Sequence, residues 1–110
     1  MKVAVVGSRS LKIENLEKYL PPETTEIVSG GARGIDQCAR RYAKRNGIKL
    51  TEFLPDYDTY GRSAPLRRNI QIIDYSDLVL AFWDGVSPGT GFVVTKCKER
   101  HTPCKVYKIK

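Results

Sequence analysis

The chain has 110 residues, the size of one domain, so the sequence predicts a single domain over residues 1–110. Apolar residues make up 41% of the chain, which excludes a disordered tail, and no apolar run approaches the ~20 residues of a membrane span. Lysine and arginine outnumber aspartate and glutamate by 19 to 12, giving a formal charge of +7. This balance favours nucleotides, other phosphates or nucleic acid as partners, unless the charge only keeps the surface solvated.

The cysteines and the N-terminal segment predict where the protein is found. Cys38, Cys97 and Cys104 show no paired CxxC spacing, and His101 has no serine or cysteine arrangement near it. We therefore expect reduced thiols and no bound metal. The opening "MKVAVVG" lacks the features of a signal peptide, so we expect a soluble cytoplasmic protein.

The first half of the chain alternates between predicted strands and helices. A β-branched run at 3–7 predicts a buried strand, and apolar residues at helical spacing predict a helix at 13–20. A second strand is expected at 26–29. The clearest amphipathic helix begins near Ile35 and ends at Asn46-Gly47, a pair typical of helix C-termini.

The second half continues this alternation. Its predicted elements are a strand at 48–54, a loop at 55–64, a helix from Pro65, a strand at 77–83, a glycine-rich loop at 84–91, a helix to about Arg100 and a strand at 104–109. We expect the helix from Pro65 to bury Leu66, Ile70, Ile72 and Ile73. Strands alternating with helices at this spacing predict a parallel sheet with helices on both faces.

Three glycine-rich or serine-rich loops follow the first, second and fourth predicted strands, at 7–10, 29–36 and 84–91. Ligands of open parallel sheets bind at the carboxyl ends of the strands, so these loops are expected to converge on one rim. The glycines of "SGGARGID" let the backbone approach a phosphate at the following helix N-terminus. The alternative is a tight strand-to-helix turn, since the GGxxG spacing matches neither the dinucleotide fingerprint nor the P-loop.

Several side chains at this rim suit a phosphorylated ligand. Arg9 and Arg33 project from the loops, where cations would neutralise phosphate, and Arg68 with Asn69 begins the third helix. A carboxylate in a first helical turn, such as Asp36, either caps the helix or bonds a ribose hydroxyl or a pocket loop. The indole at position 83 either packs in the core or stacks on a base.

Four motifs together resemble those of a known protein family. The stretches "GSRS", "SGGARGID", "PLRRNIQIIDYSDLVLAFWDG" and "SPGTGFVVTKC", in that order, resemble the SLOG superfamily of Rossmann-like domains, and in particular its small stand-alone bacterial and phage members. The resemblance implies a three-layer Rossmann-like fold, a parallel sheet of order 3-2-1-4-5, and a nucleotide or nucleotide-derived ligand. It also implies a possible homodimer. The loops and the resemblance together predict a ligand-binding set of Gly7, Ser8, Arg9, Ser29, Gly30, Gly31, Arg33, Gly34, Asp36, Arg68, Asn69, Asp84, Ser87, Gly89 and Thr90.

Two branches of this superfamily imply alternative functions. The LOG phosphoribohydrolases carry PGGxGTxxE, and aligning its GT with Gly89-Thr90 places Val93 at the glutamate, which argues against hydrolysis of an N-glycosidic bond. We therefore predict no catalytic residue and no cofactor, unless another carboxylate substitutes. The DNA-processing protein A group has similar "SGGARGID" and "RRNIQI" stretches, which leaves single-stranded DNA as an alternative partner. The basic helix face that would contact it comprises Arg40, Arg41, Lys44 and Arg45.

Overall fold

A five-stranded parallel sheet forms the centre of the computed structural model, which describes residues 1–109. Its strands are β1 (Lys2–Gly7), β2 (Glu26–Ser29), β3 (Lys49–Glu52), β4 (Leu78–Trp83) and β5 (Cys104–Lys108). They lie in the order β3-β2-β1-β4-β5 and every pair is parallel, so the predicted order is confirmed. Lys110 lies outside the described residues.

The central strands β1 and β4 are buried on both faces, because helices cover both sides of the sheet. Their runs "VAVV" and "LVLAF" supply β-branched and aromatic side chains that alternate between the two faces. In contrast, β5 lies at an edge of the sheet, and its residues are exposed or half-buried rather than alternating in exposure.

Four α-helices complete the three-layer α/β fold. They are α1 (Ile35–Asn46), α2 (Tyr57–Tyr60), α3 (Ala64–Tyr75) and α4 (Pro88–Glu99). On one face, Ile35 and Ala39 of α1 pack with Val5 and Phe82 of the sheet. On the other face, α3 and α4 pack over β1 and β4 in a second cluster that contains Val93. Within residues 1–109, none of the helices has the length and apolar character needed to cross a membrane.

Two predicted segments differ from the structure. The helix expected at 13–20 is only a 3-10 turn at Leu16–Lys18, because a segment this short before Pro21 and Pro22 cannot sustain an isolated helix. Leu16 is nevertheless buried, and the half-buried Tyr19 ring packs edge-on against Phe82. The loop expected at 55–64 contains α2, whose first turn is capped where Asp56 accepts the backbone N–H of Thr59.

Candidate functional site

A cavity of about 480 Å³ lies at the carboxyl edge of the sheet, between the loop after β1 and the N-terminal turns of α1, α3 and α4. The predicted residues that line it are Gly7, Ser8, Arg9, Asp36, Arg68, Asn69, Ser87, Gly89 and Thr90. The predicted residues outside its wall are Ser29, Gly30, Gly31, Arg33, Gly34 and Asp84. The convergence of separate loops therefore agrees with the geometry expected of a parallel sheet.

Arg68 is a buried cation that joins several elements beside the cavity. Only 8% of the residue is exposed, and its Nη1 donates hydrogen bonds to the carbonyl oxygens of Gly30 (2.6 Å) and Phe53 (3.3 Å). Its Nε donates to Oδ1 of Asn69 at 2.9 Å. No hydrogen bond from Nη2 occurs within residues 1–109, which leaves this nitrogen available to a ligand in the cavity.

Two glycines of the second loop are required by close contacts. A Cβ on Gly30 would overlap the guanidinium of Arg68. Gly34 has φ of +75°, and a Cβ there would overlap the backbone of Arg9. The interpretation as a tight strand-to-helix turn therefore accounts for these two positions, and it holds the loop after β1 against the N-terminus of α1.

Asp36 is a buried carboxylate on the cavity wall, in the first turn of α1. It is 7% exposed, and its Oδ2 accepts the backbone N–H of Ala32 at 3.1 Å, so it stabilises the preceding loop. Burial raises the pKa of Asp36 above its ordinary value, while the Ala32 N–H and the charge of Arg68 oppose that shift. The carboxylate thus lines the cavity while it is held by the backbone of the preceding loop.

Arg9 adds a second positive charge to the wall that contains Arg68. Its side chain is exposed and forms no ion pair within the described residues. The pKa of Arg68 is lowered chiefly by burial and further by the nearby charge of Arg9, whereas Asp36 opposes the shift. Two neighbouring cations compensated by a single buried carboxylate make this wall suitable for an anion.

The N-terminal turn of α4 forms the opposite wall with Ser87, Gly89 and Thr90. The first backbone N–H groups of a helix have no partner within it and carry partial positive charge. Thr90 is 6% exposed, and its hydroxyl forms no hydrogen bond within residues 1–109. The residue is buried but its hydroxyl oxygen is open to the cavity, so this hydroxyl can form a hydrogen bond with a ligand oxygen there.

Asp84 lies outside the wall and holds the loop before α4 in shape. Its Oδ1 accepts the backbone N–H groups of Val86 (2.9 Å) and Ser87 (2.7 Å), and its Oδ2 accepts the Ser87 hydroxyl (2.6 Å). Its own N–H donates to the Ser8 hydroxyl at 3.3 Å, which ties this loop to the one after β1. The Ser87 hydroxyl, followed by the two N–H groups, lowers the pKa of Asp84 to about 2.

Because the folded state lowers this pKa, the ionised Asp84 should stabilise the protein above its ordinary pKa of 3.8, and that contribution should be lost as the pH falls through about 2. We therefore expect Asp84→Asn to lower the melting temperature near neutral pH, and the difference from the unmodified protein to shrink in acid. Melting curves from about pH 7 to about pH 2 test this. Asp58→Asn, at an exposed carboxylate of α2, is the matched control; a pH-independent difference for Asp84→Asn would contradict the assignment.

Several cavity residues were not predicted as site residues, because they are apolar and resemble core positions. Leu66 was expected to be buried, yet it is 41% exposed and lines the cavity with Ile72 and Val93. The sequence signal for Val93 is its position after Gly89-Thr90, where the LOG phosphoribohydrolases have their glutamate. Trp83 is half-buried, and its Nε1 donates to the Ser87 carbonyl at 3.0 Å, so its indole supports the α4 loop.

The sheet order and the cavity at the carboxyl edge define a Rossmann-like α/β protein. The chain belongs to the SLOG superfamily, since the model of the YspA, cpYpsA-related SLOG family matches residues 1–60. It is also similar to the Gene 61 protein of Mycobacterium phage D29, with 30% identity over 115 aligned residues that cover 93% of this chain and 92% of that protein. No solved structure gives a significant match. The predicted family is confirmed.

Proposed function

We propose that the protein binds a phosphorylated, nucleotide-derived small molecule in the cavity at the carboxyl edge of the sheet. The observation that carries this proposal is the Thr90 hydroxyl, which has no hydrogen bond within residues 1–109 and is open to a cavity of about 480 Å³. Small-molecule sites have volumes of roughly 300–1,000 Å³. A ligand oxygen would give this hydroxyl a hydrogen bond that no protein group makes within residues 1–109.

One end of the cavity suits phosphate. The free N–H groups at the start of α4 and the Thr90 hydroxyl would donate hydrogen bonds to phosphate oxygens. The side chains of Arg9 and Arg68 would neutralise its charge, the latter through its unpaired Nη2. Helix N–H groups and two guanidinium groups on facing walls favour a dianion over a neutral ligand.

The remainder of the cavity suits a sugar and a ring. Leu66, Ile72 and Val93 form an apolar wall, which would pack against a base or another flat group. Asp36 and Asn69 supply polar atoms at hydrogen-bonding positions for ribose hydroxyls. The cavity therefore combines an apolar wall with a region that suits phosphate. This combination favours a nucleotide-derived molecule over inorganic phosphate, which has no apolar part.

Thermal unfolding with AMP, ADP-ribose, NAD and cyclic nucleotides, each at low and high salt, tests the proposal. A ligand at about 100 times its dissociation constant stabilises by roughly 2.7 kcal/mol, which for a chain of this size raises the melting temperature by roughly 10 °C or more. We expect a salt-tolerant increase with at least one of these molecules. If none of them raises the melting temperature, while single-stranded oligo-dT does so only at low salt, the proposal fails and a single-stranded DNA function is favoured.

Thr90→Val is the sharpest variant, because valine keeps the shape of the side chain and removes only the hydroxyl. We expect about tenfold weaker binding of the identified ligand, the size of one hydrogen bond to a charged group. The melting temperature of the free protein should not fall, because the hydroxyl has no protein partner within residues 1–109. Thr95→Val, on the exposed part of α4, is the matched control for calorimetric titration. Equal affinities of the two variants would contradict the proposed site.

The apolar side chain of Val93 on the cavity wall supports ligand binding without hydrolysis of an N-glycosidic bond. This residue is 2% exposed and lines the cavity, so an apolar group stands where the resemblance to the LOG phosphoribohydrolases implies a glutamate. We therefore expect no release of base from nucleoside monophosphates. Release that disappears in Asp36→Asn would instead establish an enzyme in which another carboxylate has taken over this role.

A further inference from the structure

We propose that the protein has a second anion site, for a short run of phosphate groups, on the outer surface of α1 and apart from the cavity. A groove of about 420 Å³ lies between residues 12–16 and the outer surface of α1. Its basic residues are Lys12, Arg41 and Arg45. No residue in the described range 1–109 lines both this groove and the cavity, so the two sites are separate.

The cations of this groove form no ion pairs within residues 1–109. Arg40, one residue away on α1, is neutralised by Glu52, with Nη2 and Oε1 2.9 Å apart. Within residues 1–109, neither Arg41 nor Arg45 forms an ion pair, and Lys12 forms none either. The only carboxylate on the groove wall is that of Glu14. The groove is therefore positively charged. On the neighbouring surface, by contrast, Glu52 neutralises the charge of Arg40.

The groove also has a defined floor. The Cys38 thiol is 7% exposed and accepts hydrogen bonds from the backbone N–H of Ile13 (3.5 Å) and from Nη2 of Arg41 (3.8 Å). These contacts connect the two walls and orient the guanidinium of Arg41 along the groove. The ring of Tyr42 packs against the core cluster below, so the wall that carries the cations is rigid.

The spacing of the cations favours several phosphates over one. Arg41 and Arg45 are four residues apart on one helix face, which places their Cβ atoms about 5–6 Å from each other. Lys12 approaches from the other wall. A chain of two or three phosphate groups would extend along a groove of about 420 Å³ and could contact each of these cations. The occupant we infer is an inorganic polyphosphate or the polyphosphate tail of a small molecule.

Titration of ¹⁵N-labelled protein with sodium tripolyphosphate at low salt tests this site directly. We expect saturable shifts of the backbone amides of Ile13, Cys38 and Arg41. Arg41→Gln and Arg45→Gln should each weaken this saturation about fivefold, the size of one exposed charge pair. Lys44→Gln removes the same charge from the same helix at a residue that does not line the groove, and it should leave the saturation unchanged. Nucleoside triphosphate in a second titration distinguishes a polyphosphate tail from the free ion.

Three outcomes would overturn the inference. If Lys44→Gln weakens binding as much as Arg41→Gln, the ion only responds to the general positive charge of α1. If the shifts appear at Gly89 and Thr90 alone, tripolyphosphate binds only in the cavity. If oligo-dT binds α1 with an affinity that rises with strand length, and tripolyphosphate does not bind, the surface contacts a nucleic-acid backbone instead. The Thr90→Val variant separates this inference from the proposed function, because it should not change the groove titration.

Discussion

Replacing Gly34 with alanine is expected to destabilise the protein by about 3 kcal/mol or more, because the backbone conformation and the surrounding atoms both exclude a side chain. Its φ of +75° is one that L-residues rarely adopt. In addition, the new Cβ would overlap the carbonyl oxygen of Arg9 and lie 2.7 Å from its carbonyl carbon. These are backbone atoms, so the clash can be relieved only by moving the loop after β1.

Urea unfolding of Gly34→Ala beside Gly47→Ala measures this effect against a matched control. Gly47 ends α1 with φ of +62°, but nothing lies within 4 Å of a Cβ there, so this variant has the conformational strain without the clash. We expect it to lose only about 1 kcal/mol. Because the moved loop carries Ser8 and Arg9, Gly34→Ala should also lose binding in the cavity. Equal destabilisation by the two variants would show that the contact with Arg9 contributes nothing.

Arg68→Met is expected to destabilise the protein by about 2–4 kcal/mol and to abolish binding in the cavity. The substitution removes the donors to the carbonyl oxygens of Gly30 and Phe53, and methionine cannot replace them. It also leaves the buried Asp36 without the positive charge that favours its ionised form. Arg67→Gln is the neighbouring control. Its exposed guanidinium lies over the Tyr60 ring, so its loss should change stability by only about 0.5 kcal/mol.

The destabilisation by Arg68→Met should depend on pH in a definite direction. The charge of Arg68 lowers the pKa of Asp36, so its removal should raise that pKa further above the ordinary value. A carboxylate whose pKa is raised on folding stabilises the folded state at low pH and loses that contribution as the pH rises through the folded pKa. The variant should therefore lose more stability at about pH 7 than at about pH 4.5.

Urea unfolding at the two pH values, repeated in an Asp36→Asn background, measures the contribution of charge. In that background, the additional destabilisation at the higher pH should disappear. An equal loss at both pH values would mean that the hydrogen bonds to Gly30 and Phe53 account for the whole effect.

The strands and the long helices could be predicted because their patterns are local. The apolar run at 3–7 has the length and β-branched composition of a strand buried on both faces, and α1 shows one apolar and one basic face. The segment at 13–20 shows where this reasoning fails. Its apolar residues fit a helix, but their burial comes from contacts such as that of Tyr19 with Phe82, which no local pattern contains.

The position of the candidate site could also be predicted, but not the part that each residue plays in it. Glycines and serines after three strands indicated the carboxyl edge of a parallel sheet. The sequence alone did not separate Thr90, on the cavity wall with its hydroxyl unpaired, from Asp84, which forms its hydrogen bonds within its own loop. Both are polar residues of the same glycine-rich segment, and only the path of the backbone distinguishes them.

By itself, the sequence determined the five strands, the helices α1, α3 and α4, and the gathering of loops at one edge, because each depends on the spacing of side chains along the chain. Only the tertiary structure decided that Arg68 is buried against Gly30, that Leu66 lines the cavity, and that the groove cations form no ion pairs within residues 1–109. These facts depend on which residues from distant segments meet. Contacts between distant segments are decided by tertiary packing, and the periodicity of residues along the chain does not encode them.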